Sequence, residues 1–300
     1  MGALVTAAEA ARVLAFVDDL RARGRRPSTV NAYLADWRKL VRWSAKANAE
    51  PFDLSRMVAR EAAEFRAAQS AAEQKASTIN RGMAFLVEYG RWAEERGEVR
   101  DGLVRELLRI PRLTQQQLAP RGLTRVELRR YLKELDVRAS SRDRAVVYLL
   151  LFCGLRLGEA VHLRLEDIEM SERRGVIHVQ SQWAKGAKAR LVPIPVMARE
   201  VLTEYLDVRG DQRGFLFLGE RGPLGRNGIT RIVTKYGVVA GVRVSPHMLR
   251  HSFAFRFLAV ANNDLVGLAD LMGHANVNTT RHYARRRLED LEVAVEGLDF

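Results

Sequence analysis

Four separated segments carry the residue types that handle a phosphodiester. In CGLRLGEAVHL, Arg156 follows a glycine turn and immediately precedes a helix start at Gly158 and Glu159, so short connections can aim it at an anion. In WAKGAKA, Lys185 sits at the tip of a lysine-rich turn between two strand-like runs, where its ammonium can reach a phosphate. In SPHMLRHSFA, Pro246 opens a helix on which His247 and Arg250 share one face, being three residues apart. In LMGHANVNTTRHYARRR, His274 stands nine residues before Tyr283.

Singly, each residue has an ordinary reading as a surface charge or a packing residue; together they fit one reaction. A phosphodiester under attack gathers negative charge on its non-bridging oxygens, and two guanidiniums can clamp it most tightly in the transition state. Arg156 and Arg250 are the clamp. A tyrosine hydroxyl, with an ordinary pKa of about 10, is a poor nucleophile, but its phosphoester keeps the energy of the broken bond, so resealing needs neither ATP nor metal. Tyr283 is the nucleophile. Lys185 is the general acid for the leaving oxygen, with Lys188 as its competitor, and His247 and His274 can each position phosphate or manage the tyrosine's proton. The sequence does not divide those two roles. His247 and His251 are also spaced i, i+4, but the arginine between them and the lack of an acidic third ligand argue against zinc, and neither a metal nor any other cofactor is expected.

A charged partner follows from composition. The chain's 300 residues carry 49 Lys and Arg against 36 Asp and Glu, a net +13, with a pI near 10.4, which favours nucleic acid. Residues 1–115 hold 20 basic and 15 acidic side chains and residues 121–300 hold 29 and 21, so both halves share the excess. The one cysteine, Cys153, lies in an apolar run and reads as a buried thiol of a cytoplasmic, nucleoid-associated protein. Glu9, Arg12, Asp18 and Asp19 interrupt the segment where a signal peptide would need apolar residues, and no run approaches the roughly 20 residues of a membrane span.

The elements that position these groups fall into two parts. In the first, Thr6 caps a helix with Ala10, Val13, Leu14, Val17 and Leu20 on one face, Ser28 opens a second, and Asp53–Gln69 and Ser77–Arg96 read as two more, making a four-helix bundle. Arg38, Lys39, Arg42, Lys46, Lys75, Arg81 and Arg91 lie on these helices as candidates for DNA contact. Residues 110–122, with two prolines and a glutamine run, read as a linker between a domain at 1–109 and one at 123–300. Beyond it, Thr124 and Glu127 form a capping-box pattern, RDRAVVYLLLFC is a second helix, and Leu165–Pro195 reads as a small antiparallel meander before helices resume at Met197. The fold class is thus mainly α with a small antiparallel sheet.

Taken with those elements, the motifs GLRxGE, KGxKxRxVPxP, HxLRHSFA and LMGHxxxxTTxxY resemble the tyrosine recombinases, a family that includes phage integrases and Xer proteins. Arg156, Lys185, His247, Arg250, His274 and Tyr283 fill every place of that family's catalytic set, and PSTVNAYLADWRKLVRW and ASTINRGMAFLVEYGRWAEERG look like its helical core-binding domain. The resemblance implies a SAM-like helical domain joined to an α+β catalytic domain, a clamp around a specific duplex DNA site with Lys188 and Arg190 also at the DNA, and four protomers exchanging strands through a Holliday junction. An accessory protein is left open. After Tyr283, Leu288, Leu291, Val295 and Leu298 mark a helix that relatives dock into a neighbouring protomer. Within the same chemistry the rival is a type IB topoisomerase, against which the compact helical domain argues; a non-catalytic DNA-binding relative is disfavoured by the complete set. A metal-dependent transposase would need a carboxylate cluster that the sequence lacks.

Overall fold

Thr6 Oγ1 accepts the amide hydrogen of Glu9 (3.1 Å) and so starts α1, Ala7–Ala22, while Pro27, which has no amide hydrogen to satisfy, starts α2, Pro27–Ala47. These begin the first of two compact units, Met1–Gln117 and Leu118–Phe300, into which the chain divides. The computed structural model describes residues 4–48, 50–114, 121–180, 189–211, 213–274, 280 and 283.

In the first unit a 3-10 turn, Leu54–Arg56, precedes α3, Ala59–Ala71, which is followed by α4, Ala76–Glu94, and α5, Leu103–Leu108. The single helix expected from Asp53 to Gln69 is therefore two elements. The Asp53 carboxylate caps the 3-10 turn by accepting the Ser55 amide hydrogen (3.0 Å), and extended backbone at Met57 and Val58 separates the pieces. The six-residue α5 gave no periodic signal; Gly102, at φ +86°, turns the chain into it, and Gly90 lets Leu107 pack close against α4. Phe16, Leu40, Phe85, Leu86, Tyr89, Leu103 and Leu107 are buried at its centre. Beside them lies Glu9, wholly buried, which accepts hydrogen bonds from Trp37 Nε1 (2.9 Å), Tyr89 Oη (3.0 Å), Leu54 N (3.0 Å) and Arg12. Burial pushes the Glu9 carboxyl above its ordinary pKa, and those donors oppose the rise. Glu9 and Arg12 thus link helices from inside.

The segment expected as a linker, 110–122, is anchored at both ends. Asn80 exchanges two hydrogen bonds with the Leu113 backbone, both 2.9 Å, and Leu123 N donates to Ser252 Oγ (2.7 Å). Only residues 115–120 lie outside the described residues between those anchors.

The second unit opens with the capping box at Thr124 and Glu127, which starts α6, Arg125–Arg138. Next, α7, Ser141–Phe152, is buried on every side at Ala145–Leu151, as a helix without a polar face must be, and α9, Val196–Arg209, and α11, Pro246–Val260, pack against it. The short α8, Leu157–His162, leads to a three-stranded antiparallel sheet of β1, Ile168–Met170, β2, Gly175–Val179, and β3, Arg190–Pro193, in the order β1-β2-β3. Ile177 stands opposite Ile168 on one side and Val192 on the other. A two-residue pair, β4 Leu218–Gly219 with β5 Gly222–Pro223, precedes α10, Arg226–Val239, and α12, Leu265–Met272, follows α11. Among the described residues no helix is long and apolar enough to cross a membrane.

Candidate active site

The carboxylate of Glu159 organises the site. It occupies the first turn of α8, is 1% exposed, and accepts from Arg156 N (2.8 Å), Arg156 Nη1 (2.8 Å) and the two terminal nitrogens of Arg190 (3.0 and 2.8 Å). Arg250 Nη1 lies 3.9 Å from it. Although burial alone would raise its pKa, the hydrogen bonds and charge of Arg190 and its neighbours hold the Glu159 carboxyl below the ordinary value.

The same three arginines cap the C-terminus of α12. A helix end leaves carbonyl oxygens without partners and carries partial negative charge. Arg190 Nε donates to the Leu271 carbonyl (2.7 Å), Arg250 Nη2 to that of Met272 (2.7 Å) and Arg156 Nη2 to that of Gly273 (2.8 Å). Arg250 Nη1 also donates to the carbonyl of Gly154. Glycine is required at both of these acceptor turns: Gly154 has φ +61° and a Cβ there would lie 2.4 Å from Phe253 Cδ1, while Gly273 has φ +60° with Arg190 against it. One carboxylate thus serves three guanidiniums, so the described residues leave an excess of positive charge directed at one spot.

His274 and Tyr283 complete the cluster. Arg250 Nη2 is 3.4 Å from His274 Nε2, and His274 Nδ1 is 2.8 Å from the hydroxyl of the buried Thr280. Tyr283 N donates to the Thr280 carbonyl (3.0 Å), its ring centroid is 5.3 Å from that of Phe255, and its hydroxyl is 2.6 Å from Nδ1 of His251. Burial raises the Tyr283 pKa, and the charges of Arg250 and Arg156 pull it back. Burial and those cations push the His274 pKa down to about 4, so its ring is neutral near pH 7. Burial and the neighbouring Arg156 lower Arg250 to about 9, the response of a buried cation without enough counter-charge. The arrangement can hold a tetrahedral anion on Arg156, Arg250 and His274 beside a tyrosine hydroxyl.

The chain matches two known domains. Residues 121–289 match the phage integrase family and residues 13–97 its N-terminal SAM-like domain. The chain belongs to the phage integrase family. Tyrosine recombinase XerC of Chromobacterium violaceum is 31% identical over 94% of this chain and 92% of its own length. Tyrosine recombinase XerA of Thermococcus kodakarensis is 36% identical over 59% of this chain, and the match spans only 62% of that relative. The fold is that of XerH site-specific recombinase bound to a palindromic difH substrate in a post-cleavage complex, with a TM-score of 0.72 and 23% identity over 92% of this chain and 81% of that one. It is likewise that of a lambda integrase dimer bound to a COC′ core site, with a TM-score of 0.71 and 15% identity over 92% of this chain and 96% of that one.

Of the residues singled out in the sequence, Arg156, Arg250, His274 and Tyr283 come together. His247 is exposed on the first turn of α11 and meets the His251 ring edge-on, 4.0 Å between centroids; desolvation and the Arg250 charge lower its pKa. Lys185, Lys188 and the helix expected after Tyr283 lie outside the described residues, though β2 and β3, which flank the lysine turn, pair as expected. Arg190 needs correction. Expected at the DNA, its side chain is 8% exposed and its guanidinium is consumed by Glu159 and the Leu271 carbonyl. On the first unit, Arg38, Arg42 and Lys46 are exposed at four-residue steps along α2, and Lys75 is exposed at the start of α4. Lys39 instead leans toward Asp36 (3.8 Å), and Arg81 forms two 2.9 Å hydrogen bonds to the same buried carboxylate. Sequence reasoning missed Glu159 and Arg190 as the frame of the clamp, and His251 as the tyrosine's partner; the i, i+4 spacing of His247 and His251 was the available signal.

Proposed function

We propose that the chain is a site-specific DNA recombinase that cuts and rejoins strands through a covalent 3′-phosphotyrosine at Tyr283, without a cofactor. One observation carries the reading: residues from three distant segments gather as two arginines and a neutral histidine beside a tyrosine hydroxyl, with more positive than negative charge around them. Such a cluster binds a phosphodiester best when attack has placed extra charge on its oxygens, which lowers the barrier. Arg156 and Arg250 hold the non-bridging oxygens, Tyr283 attacks phosphorus, and Lys185 gives its proton to the departing 5′ oxygen. Because the phosphotyrosine keeps the bond energy, the free hydroxyl of another strand reverses the step.

The DNA partner is a specific duplex site, gripped in part by Arg38, Arg42, Lys46 and Lys75 through phosphate contacts. The relatives named XerC and XerA, and the similarity of fold to recombinases in complex with DNA, support this partner. Work on two sites calls for four protomers, joined through the segment after Tyr283, and a Holliday junction between the two exchanges; the cytoplasm, at the nucleoid, is where such a substrate lies. The test is to incubate the protein with a labelled library of nicked duplexes in EDTA and to run the products on a denaturing gel. A protein–DNA adduct that disappears in Tyr283→Phe is the expected result. DNA binding without any adduct would overturn the recombinase reading in favour of a non-catalytic DNA-binding protein.

A further inference from the structure

Among the described residues, the side chain hydrogen-bonded to the Tyr283 hydroxyl is His251, with Nδ1 and Oη 2.6 Å apart. His247, four residues earlier on the same row of α11, touches the His251 ring instead. His251 is 8% exposed and lies against two rings, that of His247 at 4.0 Å and that of Tyr283 at 5.4 Å between centroids, while one turn further along α11 Phe255 braces the ring of Tyr283. A ring fixed on a helix and bonded to the attacking oxygen is placed to receive that oxygen's proton.

We propose that His251 is the catalytic residue that takes the proton from Tyr283, an inference that rests on the recombinase reading above. In cleavage the Oη–P bond forms and the P–O5′ bond breaks. The hydroxyl proton passes from Oη to His251 Nδ1, and O5′ receives its proton from Lys185. In rejoining, the 5′ hydroxyl gives its proton back to Lys185 as it attacks, the P–Oη bond breaks, and His251 returns its proton to Oη. The role requires a neutral ring protonated on Nε2, with the Nδ1 lone pair toward the phenol. The charged and titratable groups acting on it are His247 and Arg250, both on α11, with Tyr283 across from it; burial, His247 and Arg250 lower its pKa to about 4, so the neutral form prevails near pH 7. His247, exposed at the start of the helix, is then free to bind the phosphate.

The experiment measures single-turnover adduct formation by the full chain on whichever nicked duplexes the wild type captures from the library. His251→Ala is expected to slow adduct formation by about 100-fold or more while retaining DNA binding, and added imidazole is expected to restore part of the loss, which it would not do for a packing defect. A second readout needs no DNA: the nitrogen NMR spectrum of 15N-histidine-labelled protein should show His251 Nδ1 without a proton and shifting in Tyr283→Phe. A wild-type rate in His251→Ala, or a loss that imidazole leaves untouched together with an Nδ1 signal indifferent to Tyr283→Phe, overturns the assignment. Absence of any adduct from the wild type would instead remove the reaction itself, so the two failures are distinct.

Discussion

Replacing Glu159 by Gln tests the electrostatic frame directly. The carboxylate accepts one backbone and three guanidinium hydrogen bonds, its side chain is 1% exposed, and Arg190 and Arg250 beside it are 8% and 5% exposed. Glutamine keeps the shape, but it removes the negative charge and turns one acceptor into an NH2 group facing donors. Losing one partner of a buried ion pair costs about 3–5 kcal/mol, because the remaining charges stay desolvated. In a unit of this size each kcal/mol shifts the melting point by about 2–4 °C, so the Leu118–Phe300 transition should fall by roughly 6–20 °C. Differential scanning calorimetry of the full chain reads it. Tryptophan fluorescence helps assign the other transition, since three of the four tryptophans, Trp37, Trp43 and Trp92, belong to the first unit and only Trp183 to the second; a Trp183→Phe background makes the signal specific. A drop below about 2 °C would mean that Glu159 is not the counter-charge for the three arginines, and the account of the clamp would fail.

Arg190→Ala should destabilise the same unit by a few kcal/mol and yet leave the slope of log affinity against log salt on DNA unchanged, because its guanidinium is spent internally; a slope smaller by about one would return it to the DNA surface. The Asp53 carboxyl, despite burial that would raise its pKa, is held well below the ordinary range by hydrogen bonds from Thr6, Arg12 and Ser55. With the folded pKa below the unfolded value of about 3.9, its stabilisation is complete above that pH and fades as the pH falls toward the folded pKa. Asp53→Asn should therefore lower the unfolding free energy read from a urea transition at pH 7 by about 1–3 kcal/mol, and the gap from wild type should narrow below about pH 4; a pH-independent gap would refute the linkage.

The helices of both units were legible because their apolar residues recur at the helical period and their caps are local. Thr6, Thr124 and Pro246 start helices where the sequence puts them, while the second helix starts at Pro27, one residue before the expected Ser28. The split at Asp53 was not, because a 3-10 turn and an extended pair of residues leave no periodic trace, and α5 is too short to leave one. Arg190 misled for a different reason. Its place in a basic turn motif suits a surface cation, and only the distant Glu159 and Leu271 turn it inward.

By itself the sequence pointed to the proposed chemistry, with Arg156 and Arg250 as the expected clamp, Tyr283 as the expected nucleophile and His274 beside them, because phosphoryl transfer needs those functional groups. Tertiary structure decided which group touches which. Glu159 as the shared counter-charge, the end of α12 as the support for three guanidiniums, and His251 as the neighbour of the Tyr283 hydroxyl all depend on contacts between segments tens of residues apart. Hydrogen bonds and desolvation act over a few ångströms, and distances of that size are set by packing, on which local spacing along the chain is silent.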